Sequence, residues 1–419
     1  MKTWLLASAA TLALTMASSA QTQDIPDNME KLQGMQSTGT SMDFQTIEQS
    51  GEYADQLKRN LEQVELPNGF KIELYAVVPD ARHIANGPQG VATFVGTRKQ
   101  NVWVVTDRDK NRVADEVKEF APSINFTIPN GVCFSDDGFL YIAEQNRVLV
   151  LPAAEFFYES PDVAVGVVTP QGELVPESEE SFNHTARVCR IGPDDRLYIS
   201  LGQPYNVPPK EKEDLYAEVG IGGIISMNRD GSGREVYATG VRNSVGIDFD
   251  PNSGNLWFTD NQVDGMGDDI PPGEINMASQ KGQNFGFPWY GGGSVRTEEY
   301  KGEEIPADVV IPQAEMTAHA ADLGLDFYNG TSFPQKYRGG IFSAQHGSWN
   351  RTDPVGARIM FTPLNEDGTA GEPEPFAEGW LTDSGEYIGR PVDVAVMKDG
   401  SLLVSDDLAG ALYRISYEN

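Results

Sequence analysis

Four histidines occur in the 419 residues: His83, His184, His319 and His346. Three of them stand just ahead of apolar runs, in a series that reads Arg82-His83, Asn130, Asn183-His184, Arg242-Asn243, His319 and Arg390. The fourth, His346, lies in the segment after Phe342. Cations recurring at equivalent points of a chain with 62 acidic and 31 basic residues imply a convergent ring. Such a ring suits a multiply anionic, planar ligand, because a guanidinium fork grips a carboxylate through two hydrogen bonds. For any single position the alternative is that the residue closes its own structural unit through backbone hydrogen bonds. For the set, the ligand reading is the stronger.

A second cluster runs Asp260-Asn261-Gln262-Val263-Asp264-Gly265-Met266-Gly267-Asp268-Asp269, followed by Pro271-Pro272-Gly273-Glu274-Ile275-Asn276. Oxygen donors at this density suit Ca²⁺, which takes six to eight of them from carboxylates and carbonyls. Gln262, Val263, Asp264, Asp268 and Asp269 are the candidate ligands. The spacing is not that of an EF-hand, and a solvated acidic turn is the alternative. Gly220-Ile221-Gly222-Gly223 lacks the last glycine of a dinucleotide fingerprint, and there is no Gly-x-Ser-x-Gly elbow.

These residues need a scaffold, and a recurring phrase supplies one. A Gly/Asp/Pro turn precedes a strand centred on an aromatic or leucine six times, at Phe94, Tyr141, Tyr198, Trp257, Phe342 and Leu403. The steps are 47, 57, 59, 85 and 61 residues, a mean of about 62. Repeats of this size, each a small meander of strands, are the signature of an all-β propeller, here with six blades. The first strand of each blade lines the channel, so the residues named above would ring its mouth. A longer fifth repeat, preceded by a Gly- and Pro-rich loop, adds large loops of the kind that carry function.

The 43 glycines and 26 prolines favour many short strands, while 39% hydrophobic residues are enough for a large core. The net charge of −31 argues against nucleic acid and anionic membrane as partners. Residues 1–20 read as a cleavable secretory leader: Met1-Lys2, an apolar run from Trp4 to Met16, then Ala17-Ser18-Ser19-Ala20. No later run reaches membrane-spanning length, so a periplasmic or secreted protein without stable membrane insertion is expected. Residues 21–65 are polar and lack strand alternation, an N-terminal extension with a helix expected over 52–64; residues 66–419 form the propeller. Cys133 and Cys189 are either buried thiols or one bridge. There is no Cys-x-x-Cys-His, so the chain attaches no c-type haem of its own.

From Leu66 onward the chain resembles the soluble quinoprotein sugar dehydrogenases, in particular their sorbosone dehydrogenase-like branch. The specific matches are Tyr237-Ala238-Thr239-Gly240-Val241-Arg242-Asn243 and His346-Gly347-Ser348-Trp349-Asn350-Arg351. They are joined by Leu66-Pro67-Asn68-Gly69-Phe70, Asn183-His184, His319-Ala320-Ala321-Asp322 and Gly389-Arg390-Pro391-Val392. The resemblance implies pyrroloquinoline quinone (PQQ), an ortho-quinone with three carboxylates, together with Ca²⁺ and a sugar substrate. It makes His184 the general base and Arg242 the group that stabilises charge on the quinone oxygen. Arg82, Arg242, Asn243, His319, His346, Trp349, Asn350 and Arg390 become cofactor-binding residues, and calcium would meet the backbone carbonyls of Gln262 and Val263. Electrons would pass to an external acceptor, a cytochrome or a quinone.

Two positions depart from the glucose dehydrogenase pattern. Gln203 follows Gly202 where those enzymes have an aspartate that orients the histidine, and Val392 replaces the second arginine of an Arg-x-Arg. Both argue against assuming glucose as substrate. The rival readings are a metal-dependent lactonase on a six-bladed propeller and a non-catalytic exported binding module.

Overall fold

The computed structural model describes residues 34–39 and 42–418; the leader expected over residues 1–20 lies outside them. Six sheets of four or five strands follow one another along the chain, antiparallel except where Gln283–Asn284 pairs parallel with Glu235–Thr239. Blade 1 opens with Ile84–Asn86, blade 2 with Gly131–Phe134, blade 3 with Cys189–Ile191, blade 4 with Ile247–Phe249, blade 5 with Asp322–Phe327 and blade 6 with Pro391–Val396. Each opening strand packs against the opening strand of the next blade, and blade 6 packs against blade 1, so the ring closes. The architecture is a six-bladed β-propeller. All six sequence anchors fall on the second strand of a blade, and their side chains are buried.

Ring closure uses the start of the propeller. Phe70–Val77 pairs antiparallel with Ala411–Tyr417, from Phe70 opposite Tyr417 to Val77 opposite Ala411, and becomes the outermost strand of blade 6. Phe70 meets Phe333, Tyr337, Phe376 and Tyr417 at ring centroid distances of 4.8 to 5.3 Å. Edge-to-face pairs of this kind each contribute about 0.5–1.5 kcal/mol beyond their buried area. Upstream, Thr46–Ile47 adds an edge to blade 1 and Gln36–Ser37 adds one to blade 2. The helix is Glu52–Leu61, with Ala54, Leu57 and Leu61 buried against the seam of blades 5 and 6.

The inner strands are tied by side chains. Asp248, Asp326 and Asp393 each accept the backbone N–H of the following blade, from Phe327, Val396 and Ile84 at 2.8–2.9 Å. Arg190 donates at 2.6 Å to both Asp248 and Asp326. His83 takes the same linking role: its Nδ1 accepts the N–H of Val132 at 3.1 Å. Burial, with Arg190 nearby, lowers the His83 pKa to about 3, so it is neutral and does not belong to the cationic ring expected from the sequence. Cys133 and Cys189 form a disulfide between the opening strands of blades 2 and 3. A 56-residue closed loop removes about 4 kcal/mol of chain entropy from the unfolded state by the loop-closure relation.

Candidate active site

His184 sits in the segment leading into blade 3, with a left-handed backbone of φ 52°. Its Nδ1 lies 2.5 Å from the carbonyl oxygen of Gln203. A carbonyl only accepts, so Nδ1 carries the proton and Nε2 keeps its lone pair. Nε2 meets no partner among the described residues. Burial first, then the charge of Arg242, lowers the ring to about 4 and keeps it neutral. Gly202 permits this packing: a Cβ there would lie 2.4 Å from Asn243 Oδ1 and 2.8 Å from His184 Cβ. The orienting group is therefore the main chain of Gln203. Its side-chain amide is turned away and holds Tyr205, accepting from Tyr205 N–H at 2.9 Å and donating to its carbonyl.

From His184 a hydrogen-bonded circuit runs around the mouth. Arg187, buried, donates to the carbonyls of His184 and Gly202 at 3.1 and 3.3 Å, and its own carbonyl accepts from Asn130. Asn130 Oδ1 accepts from Arg82 Nε at 2.8 Å, and Arg82 pairs with Asp407. Asp407 also accepts from His346 Nε2 at 2.8 Å. Burial works to raise the Asp407 carboxyl, yet the bond from His346 and the charge of Arg82 hold it well below the usual range. Arg390 donates to the carbonyls of His346 and Gly347 and stacks on the Tyr387 ring at 4.9 Å. On the other side Arg242 binds Asn206, the carbonyl of Asn261 and Asp264 Oδ2 at 2.9–3.2 Å. Asp260, at the end of the second strand of blade 4, fixes the backbone N–H groups of Arg242 and Asn243.

The acidic loop divides in two. Asp264 Oδ1 accepts from Asn350 Nδ2 at 2.7 Å, and the amides of Asn350 and Gln262 both approach His319 Nδ1, at 3.2 and 3.4 Å. Gln262 Oε1, Asn350 Oδ1 and Asn243 Oδ1 are buried with no partner. Asp268 and Asp269 are not brought to that cluster. Asp268 accepts the N–H of Thr352, and Asp269 points outward beside Arg351. Val263 is buried, its N–H spent on Gly291 O. His319 is also buried; its Nε2 donates to the carbonyls of Gly267 and Ile270, so it secures the loop rather than facing the mouth. Trp349, by contrast, is 76% exposed.

Residues 173–414 match the sequence model of the glucose/sorbosone dehydrogenase family, which spans more than half of the chain. The chain belongs to this family. It is 31% identical over 239 residues to the aldose sugar dehydrogenase YliI of Escherichia coli K12, covering 53% of this chain and 57% of that protein. A calcium structure of a carbohydrate-active family AA12 protein of Trichoderma reesei superposes with TM-score 0.70 at 19% identity, over 85% of this chain and 97% of that one. The PQQ domain of pyranose dehydrogenase from Coprinopsis cinerea, in its holo form, gives 0.67 at 19%, over 84% and 97%. At these identities the two structures share the fold. Among the described residues, no helix is long and apolar enough to cross a membrane.

Several residues of this sugar dehydrogenase-family site escaped the sequence reading. Arg98, in the loop after the second strand of blade 1, is exposed beside Phe182 and adds to the positive field on His184. Arg187 and Asp407 hold the circuit but lie outside the segment openings. The one tight carboxylate group among the described residues with metal-ligand spacing, Asp107, Asp109 and Asp115, lies on blade 1 between its third and fourth strands, away from the mouth. The Asp-x-Asp-x-Asn spacing of Asp107, Asp109 and Asn111 was the available signal.

Proposed function

We propose that this family member is an exported quinoprotein that oxidises a sugar hydroxyl or aldehyde with PQQ and Ca²⁺ and passes electrons to an external acceptor. One observation carries the reading: a neutral histidine, His184, with a fixed tautomer and a free Nε2, stands beside Arg242 in a mouth ringed by arginines.

The residues fit the proposed groups. The unpartnered oxygens of Gln262 and Asn350 adjoin Asp264, an all-oxygen donor set suited to calcium. Arg390, and Arg98 with no carboxylate partner, are the cations open to cofactor carboxylates, whereas Arg82 and Arg242 already hold Asp407 and Asp264. Val392 is buried among apolar side chains and offers no cation there. Asn243, Trp349 and Asn350 complete the set of cofactor contacts. When bound, PQQ supplies the hydride acceptor.

The remaining work falls to the chain. His184 Nε2 takes the substrate hydroxyl proton, Gln203 O holds the ring, and Arg242 supplies positive charge to an oxygen gaining electrons. With its pKa lowered to about 4, the ring is unprotonated and able to accept at neutral pH. A lactonase would need several carboxylates converging on a metal, whereas the unpartnered oxygens beside Asp264 are amides and Asp407 is held by Arg82.

Export is supported by the leader-like residues 1–20 and by the Cys133–Cys189 disulfide, a bond typical of oxidising compartments. The test is dye reduction by protein loaded with PQQ and Ca²⁺ against a panel of aldoses. Saturable, sugar-dependent reduction is expected; saturable cofactor binding with no turnover on any sugar or aldehyde overturns the dehydrogenase reading.

A further inference from the structure

A cavity of about 490 Å³ opens in the wedge between blades 6 and 1. Its walls include the turns that join the first and second strands of both blades, and the loop joining the third and fourth strands of blade 1. In an up-and-down meander these connections lie at the opposite end from the segments that carry His184, Arg242 and Arg390. The cavity is thus on the face away from the mouth.

Four basic side chains line it: Lys110, Arg112, Lys398 and Arg414. Such a concentration is unexpected in a chain with twice as many acids as bases. Among the described residues Lys110, Arg112 and Lys398 form no ion pair. Arg414 is 97% buried; its Nη2 donates to Asp399 at 2.6 Å, while Nε and Nη1 have no partner. Buried guanidinium N–H groups left unmet are rare in folded proteins and point to a missing acceptor.

Two carboxylates on the walls, Asp107 and Asp399, offset part of this charge. Asp399 is occupied by Ser401 and Arg414, and the two oxygens of Asp107 accept the backbone N–H groups of Asn111 and Arg112. Tyr75 also lines the cavity, and burial, with Asp107 nearby, keeps its phenol protonated and able to donate. Among the described residues, unpaired donors remain on Lys110, Arg112, Lys398 and the Nε and Nη1 of Arg414, against two carboxylates whose oxygens are already bonded.

We propose that this cavity binds a small, multiply anionic molecule, bearing phosphate or several carboxylates, through Arg414, Lys110 and Lys398. Its volume is in the range of small-molecule sites. The site is independent of the dehydrogenase reading, because none of its residues belongs to the mouth.

Calorimetric titration of the full chain with inorganic phosphate and with tricarballylate, at fixed ionic strength, tests it. The comparison is the double variant Lys110→Gln, Lys398→Gln, whose parent side chains are exposed and make no ion pair, so the fold is retained. Saturable binding of at least one probe, weakened about tenfold or more in the variant, is expected. The tighter probe identifies phosphate or polycarboxylate as the ligand type. Binding that is unchanged in the variant belongs to the mouth or is non-specific, and overturns the proposal, as does the absence of saturable binding of both probes.

Discussion

The carbonyl oxygen of Gln203 stands 2.5 Å from His184 Nδ1, and this contact sets the tautomer of the ring. A carbonyl cannot donate, so the ring presents an unprotonated Nε2 whatever side chain residue 203 carries. The amide of Gln203 serves the neighbouring loop instead, through Tyr205. The tautomer therefore does not depend on an acidic side chain at this position.

Gln203→Ala should therefore leave the base in place and loosen the 204–206 segment, where Asn206 holds Arg242 at 2.9–3.0 Å. Steady-state dye reduction should show kcat down by less than about tenfold, with a raised KM, well short of the 10²–10⁴-fold expected for loss of a general base. A fall as large as that for removing His184 would mean that the side chain, not the carbonyl, orients the ring.

The His184 pKa, lowered to about 4 by burial and Arg242, gives a second test. In cofactor-free protein the ring is neutral above that value and protonates only as pH falls through it. Arg242→Met removes the neighbouring charge, so the midpoint should move upward, toward the unperturbed 6.5. Proton NMR titration of the four histidines reads this directly. An unmoved midpoint would show that burial alone sets it.

Glu274 lies opposite Asp260 in the strand pairing beneath Arg242, fully buried. Burial, then the Asp260 charge, raises it to about 8 from a usual 4.5. Between those values the unfolded chain has lost this proton and the folded chain still holds it, so stability falls as pH rises through that window. Glu274→Gln escapes the penalty. Its melting temperature, measured in calcium-free buffer, should gain on the parent from pH 5 to pH 8 and hold a constant lead above. A gap independent of pH would rule out the linkage.

Cys133 and Cys189 tie adjacent inner strands, so the double serine variant should lose up to about 4 kcal/mol in denaturant unfolding. The parent should show no thiol to Ellman's reagent, native or unfolded, without reductant. Reactive thiol in the unfolded parent would contradict the bridge.

The blades were legible because each turn-and-strand phrase is local: Gly192-Pro193-Asp194-Asp195 announces the strand of Tyr198 with no help from the rest of the chain. Closure was not, because Phe70–Val77 finds its partner more than 330 residues away, and an amphipathic strand does not name its neighbour. The position of cations was legible too, but not their occupation. His83 and His319 look like His184 in sequence; only the contacts of Val132 N with one and of the Gly267 and Ile270 carbonyls with the other remove them from ligand binding. Asp268 and Asp269 lie away from the cluster of Gln262, Asp264 and Asn350, and density of carboxylates in a loop says nothing about which of them turn inward. Arg98 lacked any motif.

The most direct test of the account is titration of His184→Ala and parent protein with PQQ in the presence of Ca²⁺, followed by absorbance, with sugar-dependent dye reduction measured on the same samples. Saturable cofactor binding of similar affinity is expected in both, with turnover in the parent and a loss of about 10² or more in the variant. Equal turnover in the two proteins, or no saturable quinone binding by the parent, would contradict the proposed function.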